Sequence, residues 1–193
     1  MSERRALLLD AAVSVVAADG LRGLTHRAVD ATAHLPAGST SNAFRSRAAL
    51  LDAVLAHILA TEREQLVRLP PMPDVAAVVG GAVEMARFLL GPGRTFTLAR
   101  HALFLDAARR EDSRRAVSVA SSEVFGLVAA RLAAAGVPDP DARARLLLVA
   151  LDGVLLDHLV RPDTAPDLDV AVPAVLTPLL SARPTEAEEP SAS

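Results

Sequence analysis

The chain has 193 residues, a formal net charge of −3, 51% hydrophobic residues and no Cys, Trp or Tyr. That length holds one sizeable core, or a small module joined to a larger one, and the missing thiols exclude disulfides and thiolate metal sites. The charge is uneven: residues 1–50 carry six Arg against four acids, +2, while the rest carries 14 Arg against 19 acids, −5. DNA binding needs only such a local basic footprint.

In chain order the predicted elements are helices. Leu8, Ala12, Val15 and Val16 form a helical stripe, which Asp19-Gly20 should stop. Thr25 is placed to cap a short helix running to Ala33, with Val29 and Ala33 on its apolar side. Pro36 is tolerated in the first turn of a further short helix, and Ser46 caps the next. That helix has Leu50, Leu51, Val54, Leu55, Ile58 and Leu59 on one side. The run Pro70-Pro71-Met72-Pro73 is a break. Helices are then expected at about 74–90, 95–110, 113–135, 139–160 and 167–182. In the last, Pro178 should kink or end the helix. Residues 183–193, RPTEAEEPSAS, have the composition of a disordered tail. The expected fold is all-α, about nine helices, with no strand-like alternation and no repeat.

No segment reads as a signal peptide, because Glu3 and Asp10 interrupt the N-terminal apolar run. The apolar region Leu146–Val160 contains Asp152, Asp157 and His158 and is too short to span a bilayer. The expectation is a cytoplasmic protein with no membrane partner.

The stretch LPAGSTSNAFRSR at 35–47 is small, polar and basic. Ser, Thr, Asn and Gly are weak helix formers, and so few residues need packing to hold a helix. Leu35 and Phe44 supply it, leaving Ser39, Thr40, Ser41 and Asn42 to point outward, with Arg45 and Arg47 following. Asn can pair with adenine's edge, Ser and Thr with bases or phosphate, and Arg with phosphate. A short helix, a turn and this helix have the order of a helix-turn-helix. A Gly/Ser surface loop has the same composition, so the stretch alone leaves both readings open.

Residues 5–55 resemble the N-terminal domain of TetR-family transcriptional repressors. The matching segments are LLDAAVSVVAADG at 8–20, LTHRAVDATAHL at 24–35, PAGSTSNAF at 36–44 and SRAAL at 46–50. The resemblance implies a helix-turn-helix head at 1–50 and a helical effector-binding and dimerisation domain at 51–182. It implies Thr25 and Arg27 as further DNA-facing positions, with Ser39, Thr40, Ser41 and Asn42 on the recognition helix and Arg45 and Arg47 on phosphate. Leu8, Val16, Val29, Leu35 and Phe44 would be core, and His26 and His34 turn residues, His26 within reach of phosphate. The chain departs from the pattern at Ala37, where Lys is common, at Ser41, where an aromatic is common, and at Ala43, where a bulky residue is usual. Phosphate binding would then lean on Arg27, Arg45 and Arg47.

The expected function is a sequence-specific, ligand-responsive repressor, a homodimer on near-palindromic double-stranded DNA. The segment DARARLLLVALDGVLLDHLV at 141–160 is apolar on most faces. It needs a central position or a partner helix, so dimerisation is expected through 139–160 and 167–182. That would place two recognition helices on half-sites about 34–36 Å apart. Met85, Phe88, Phe96, His101, Phe104 and Phe125 are candidates for an apolar pocket taking a lipophilic effector. The helix at 46–68 would be the lever between pocket and head. No Glu-x-x-His pair, HExxH, P-loop or GxSxG occurs, so no catalytic residues, cofactor or metal site are expected. The rival reading is a helical ligand-binding or adaptor protein whose head no longer binds DNA.

Overall fold

The computed structural model describes residues 3–181. Among them are nine α-helices and no strand. They are α1 (Glu3–Gly23), α2 (His26–Thr32), α3 (Ser39–Ala43), α4 (Arg47–Arg68), α5 (Val75–Leu90), α6 (Arg94–Ala107), α7 (Glu111–Ala134), α8 (Pro140–Val160) and α9 (Leu168–Ser181). The segment 183–193, expected to be disordered, lies outside the described residues.

The chain divides into two compact units. One takes the residues up to Leu69 together with Arg87–Val124, and the other takes Pro70–Ala86 together with the residues from Phe125 on. In the first, the stripe read from the sequence is buried: Leu8, Ala12, Val15 and Val16 are enclosed, and so are Val29 and Phe44. All six apolar residues predicted for α4 are buried as well. This core runs on into Ala99, Leu103 and Ala107 of α6, along which α1 packs. Ion pairs tie the helices at their rims. Arg100 meets Glu62 at 2.6 Å, Arg110 bridges Asp52 and Asp106, each at 2.8 Å, and Arg63 meets Glu123 at 3.2 Å.

In the second unit α8 packs against α9. Leu147, Leu151 and Leu155 form one stripe and Val172, Leu176 and Leu180 the other, each at a four-residue spacing that keeps one helical face inward. Arg143 donates to the Leu179 carbonyl, and the His158 ring meets the Pro166 carbonyl at 2.9 Å. α7 is long and apolar enough to cross a membrane by length and composition. It carries Glu111, Asp112, Arg114, Arg115 and Glu123, and it buries Val124, Val128 and Leu132 within the fold.

The stop read at Asp19-Gly20 is present: Gly20 leaves helical backbone at φ 66°, a kink after which a short further turn reaches Gly23. Two other expectations about helix ends are corrected. The helix expected from Pro36 begins only at Ser39, because Pro36–Gly38 form a turn with Gly38 at φ 93°. α9 runs through both Pro173 and Pro178 to Ser181. Each Pro removes one backbone hydrogen bond, and the buried Val172–Leu176–Leu180 stripe keeps the helix in place.

Candidate nucleic-acid interface

Local chemistry fixes the α2–turn–α3 unit at both ends. Thr25 caps α2, its hydroxyl oxygen accepting from the Ala28 amide at 3.1 Å. Ser46 does the same for α4 with Ala49, also at 3.1 Å. His34 ends α2 in the left-handed region, φ 53°, bearing out its reading as a turn residue. His26 is also committed internally, its Nε2 lying 2.8 Å from the Phe44 carbonyl, where an N–H can donate.

Between the two short helices sits a buried carboxylate. Asp30 is 5% exposed and accepts from the Gly38 amide at 2.8 Å, the Thr40 amide at 2.7 Å and the Thr40 hydroxyl at 2.5 Å. It thereby satisfies amides at the start of α3, which would otherwise lack partners. Burial pushes the carboxyl's pKa up. The Thr40 hydroxyl, the Thr40 and Gly38 amides and the nearby His26 together outweigh that and hold it below the usual value. Asp30 was not among the predicted site residues. Its position one residue after Val29, on a helix whose other inward residues are apolar, was the available signal.

The candidate DNA-facing residues separate into two groups. Thr25, Arg27, Ser41, Asn42, Arg45 and Arg47 are exposed. Ser39 and Thr40 are not, which corrects the outward orientation expected for both. Thr40 is fully enclosed because its hydroxyl serves Asp30, and the Ser39 hydroxyl donates to the Pro36 carbonyl at 2.6 Å. Starting the helix at Ser39 instead of Pro36 turns these two inward and leaves Ser41 and Asn42 outside. Arg47 folds back, its Nε 3.1 Å from the Leu24 carbonyl and its terminal nitrogen on the Leu21 carbonyl. Arg27 and Arg45 make no hydrogen bond or ion pair among the described residues.

The candidate effector residues fall in both units. In the second, Met85 is half-buried and the Phe125 ring lies under the Arg145 guanidinium at 4.7 Å. In the first, the Phe104 ring lies under Arg100 at 4.3 Å, and His101 Nδ1 meets the Thr97 carbonyl at 2.8 Å. Phe88 is exposed and packs beside Gly93. Phe96 lines a cleft of about 270 Å³ with Asp10, Val13, His57 and Thr61, where Asp10 and His57 pair at 2.8 Å.

Residues 73–182 match the family model described as the tetracyclin repressor-like C-terminal domain. Solved structures agree along nearly the whole chain. The multidrug binding protein EbrR complexed with ethidium is 32% identical, covering 92% of this chain and 98% of that one at a TM-score of 0.70. A TetR-family member from Streptomyces coelicolor A3 is 33% identical, covering 94% and 100% at a TM-score of 0.72. This chain belongs to the TetR family of transcriptional regulators. A transcriptional regulator from Rhodococcus sp. Rha1, 22% identical over 90% of this chain and 96% of its own at a TM-score of 0.74, shares the fold. A comparison with curated protein sequences yields no match. In this TetR-family member, the exposed Ser41 and Asn42 and the unpartnered Arg27 and Arg45 lie on or beside a turn fixed by a buried Asp.

Proposed function

We propose that the chain is a ligand-responsive repressor that binds a near-palindromic DNA site as a homodimer. The observation that carries the DNA reading is the α2–α3 geometry. A second helix presents a hydroxyl and an amide, Ser41 and Asn42, while its inward side is anchored by Asp30 and Phe44. Small polar side chains on a rigidly held helix suit base edges in the major groove, and Arg27 and Arg45 suit the flanking phosphates. In this reading residues 1–50 are the reading head and 51–182 serve effector binding and dimerisation.

The α8–α9 face supports dimerisation. Val149, Leu156, Val160, Val170 and Val175 are exposed there, beside an apolar groove of about 600 Å³. Gly153 lines it, and a Cβ added there would meet nothing within 4 Å, so the backbone is open to close approach. Asp157, His158 and Arg161 also line the groove, but the exposed apolar residues beside it call for a partner, and a second copy supplies an identical set. The effector would be lipophilic, of the kind that EbrR is seen to bind in its complexes with ethidium, proflavin and malachite green. Its binding would favour a state whose reading heads no longer match the half-sites, with α4 as lever.

Selection of genomic fragments by the purified protein tests this reading, run beside a Ser41→Ala, Asn42→Ala variant. The expected result is one enriched near-palindrome that the variant fails to enrich. Absence of any salt-sensitive binding to duplex DNA would reject the DNA reading and favour an adaptor. Titrating malachite green or proflavin into the complex should release the DNA. Unchanged affinity at saturation would reject the lever for that ligand.

A further inference from the structure

The first turn of α1 lies beside the reading helix. The Arg4 guanidinium donates to the Ser39 hydroxyl at 2.9 Å. Arg5 stacks over the Phe44 ring at 4.3 Å and reaches the Ala43 carbonyl at 3.4 Å. Together with Leu8 and Asn42 these residues line a cleft of about 350 Å³. No carboxylate is among its lining residues in the described part of the chain. Two cations and Asn42 therefore share one space.

From this arrangement we infer that the cleft between Arg4, Arg5 and Asn42 is a binding site for a backbone phosphate of duplex DNA. This rests on the DNA reading above and extends it to α1. Both guanidiniums are held before any ligand arrives, so little side-chain freedom is lost on binding. Stacking uses the face of Arg5 and leaves N–H groups at its edge, the geometry that suits phosphate oxygens. Arg47, which the sequence assigns to phosphate, is instead committed to the Leu21 and Leu24 carbonyls. Arg4 and Arg5 supply the charge on the other side of the reading helix. A phosphate held there also fixes Asn42 against the duplex, because the amide lines the same cleft. Asn42 thus acts at the edge between phosphate positioning and base contact.

The test is fluorescence anisotropy of the full-length protein on two labelled duplexes over a salt series. One duplex carries the fragment selected by the wild type and the other is of mixed sequence. Phosphate contacts are sequence-independent, so Arg4→Gln and Arg5→Gln should each weaken both complexes by a similar factor, about tenfold. Each should also lower the slope of log K against log salt by about 1. Arg4→Lys should keep the slope, and so should Ser39→Ala, which removes the Arg4 tether but not its charge. Folding-independent support comes from the unaltered protein. DNA should protect Arg4 and Arg5, but not the exposed Arg109, from phenylglyoxal as read by mass spectrometry. Wild-type binding with unchanged slopes in the Gln variants, or with no protection of Arg4 and Arg5, overturns the inference while leaving the DNA reading intact. Failure of the wild type to bind either duplex at low salt sinks both.

Discussion

The α2–α3 turn and the α8–α9 face treat their polar and apolar groups in opposite ways. At the turn a carboxylate and two hydroxyl residues are buried and hydrogen-bonded, while small polar side chains remain outside. On α8 and α9 each helix buries one leucine- and valine-lined stripe and leaves a second apolar set in the open, Val149 at 66% and Val160 at 65% exposure among them. A buried hydrogen-bond network has few geometries that satisfy it, so it fixes orientation. An open apolar face specifies little direction but gains free energy from any matching surface. The first suits a surface that must read a shape, and the second suits one that must find a copy of itself.

Removing the carboxylate should break this comparison most severely. Asp30→Ala leaves the Gly38 and Thr40 amides and the Thr40 hydroxyl without a buried acceptor. The expected loss is about 3 kcal/mol of folding stability, measured by urea unfolding. The contribution has a pH signature. Because the folded-state pKa of Asp30 is depressed, its stabilisation is fully present above the ordinary Asp value of about 4 and disappears as pH falls through the lower folded value. The wild type's advantage over Asp30→Asn should therefore be constant near neutrality and shrink in acid. An advantage that grows as pH falls would contradict the hydrogen-bonding account.

A charge on the apolar face should have the next largest effect and a different target. Val149→Asp places a carboxylate on a side chain that is mostly exposed in the single chain, so folding of the monomer should be nearly unchanged. Dimer affinity should fall on the order of 2 kcal/mol, roughly thirtyfold in Kd, by sedimentation equilibrium. A wild type that is monomeric at every concentration would remove the partner from this face altogether.

Helix existence and the core were legible in the sequence because one buried stripe repeats every three or four residues. The caps at Thr25 and Ser46 were legible for a local reason, since a cap acts within three residues of itself. Side-chain direction in α3 was not. A five-residue helix has no period to read, and shifting its start from Pro36 to Ser39 changed which residues face inward. That start is set by Asp30, eight and ten residues away from the amides it holds. The roles of Arg4 and Arg47 depend on contacts spanning 35 and 23 residues, which no local pattern encodes. Continuity of α9 through Pro178 was missed because packing overrides propensity there.

The smallest predicted effect separates burial from hydrogen bonding as the source of the turn's rigidity. Thr25 and Ser46 each accept one amide at 3.1 Å, as Asp30 accepts from Gly38 and Thr40, but both caps are exposed. Once the hydroxyl is removed, water can partly satisfy the freed amide. Thr25→Ala and Ser46→Ala should each cost about 1 kcal/mol, and replacement by Gly only a few tenths. The same urea unfolding measurement applies to all of these variants. If Thr25→Ala matched Asp30→Ala, the hydrogen bond itself would be the whole effect and enclosure would add nothing. A gap of about 2 kcal/mol between them would assign the difference to burial and to the larger number of donors that Asp30 serves.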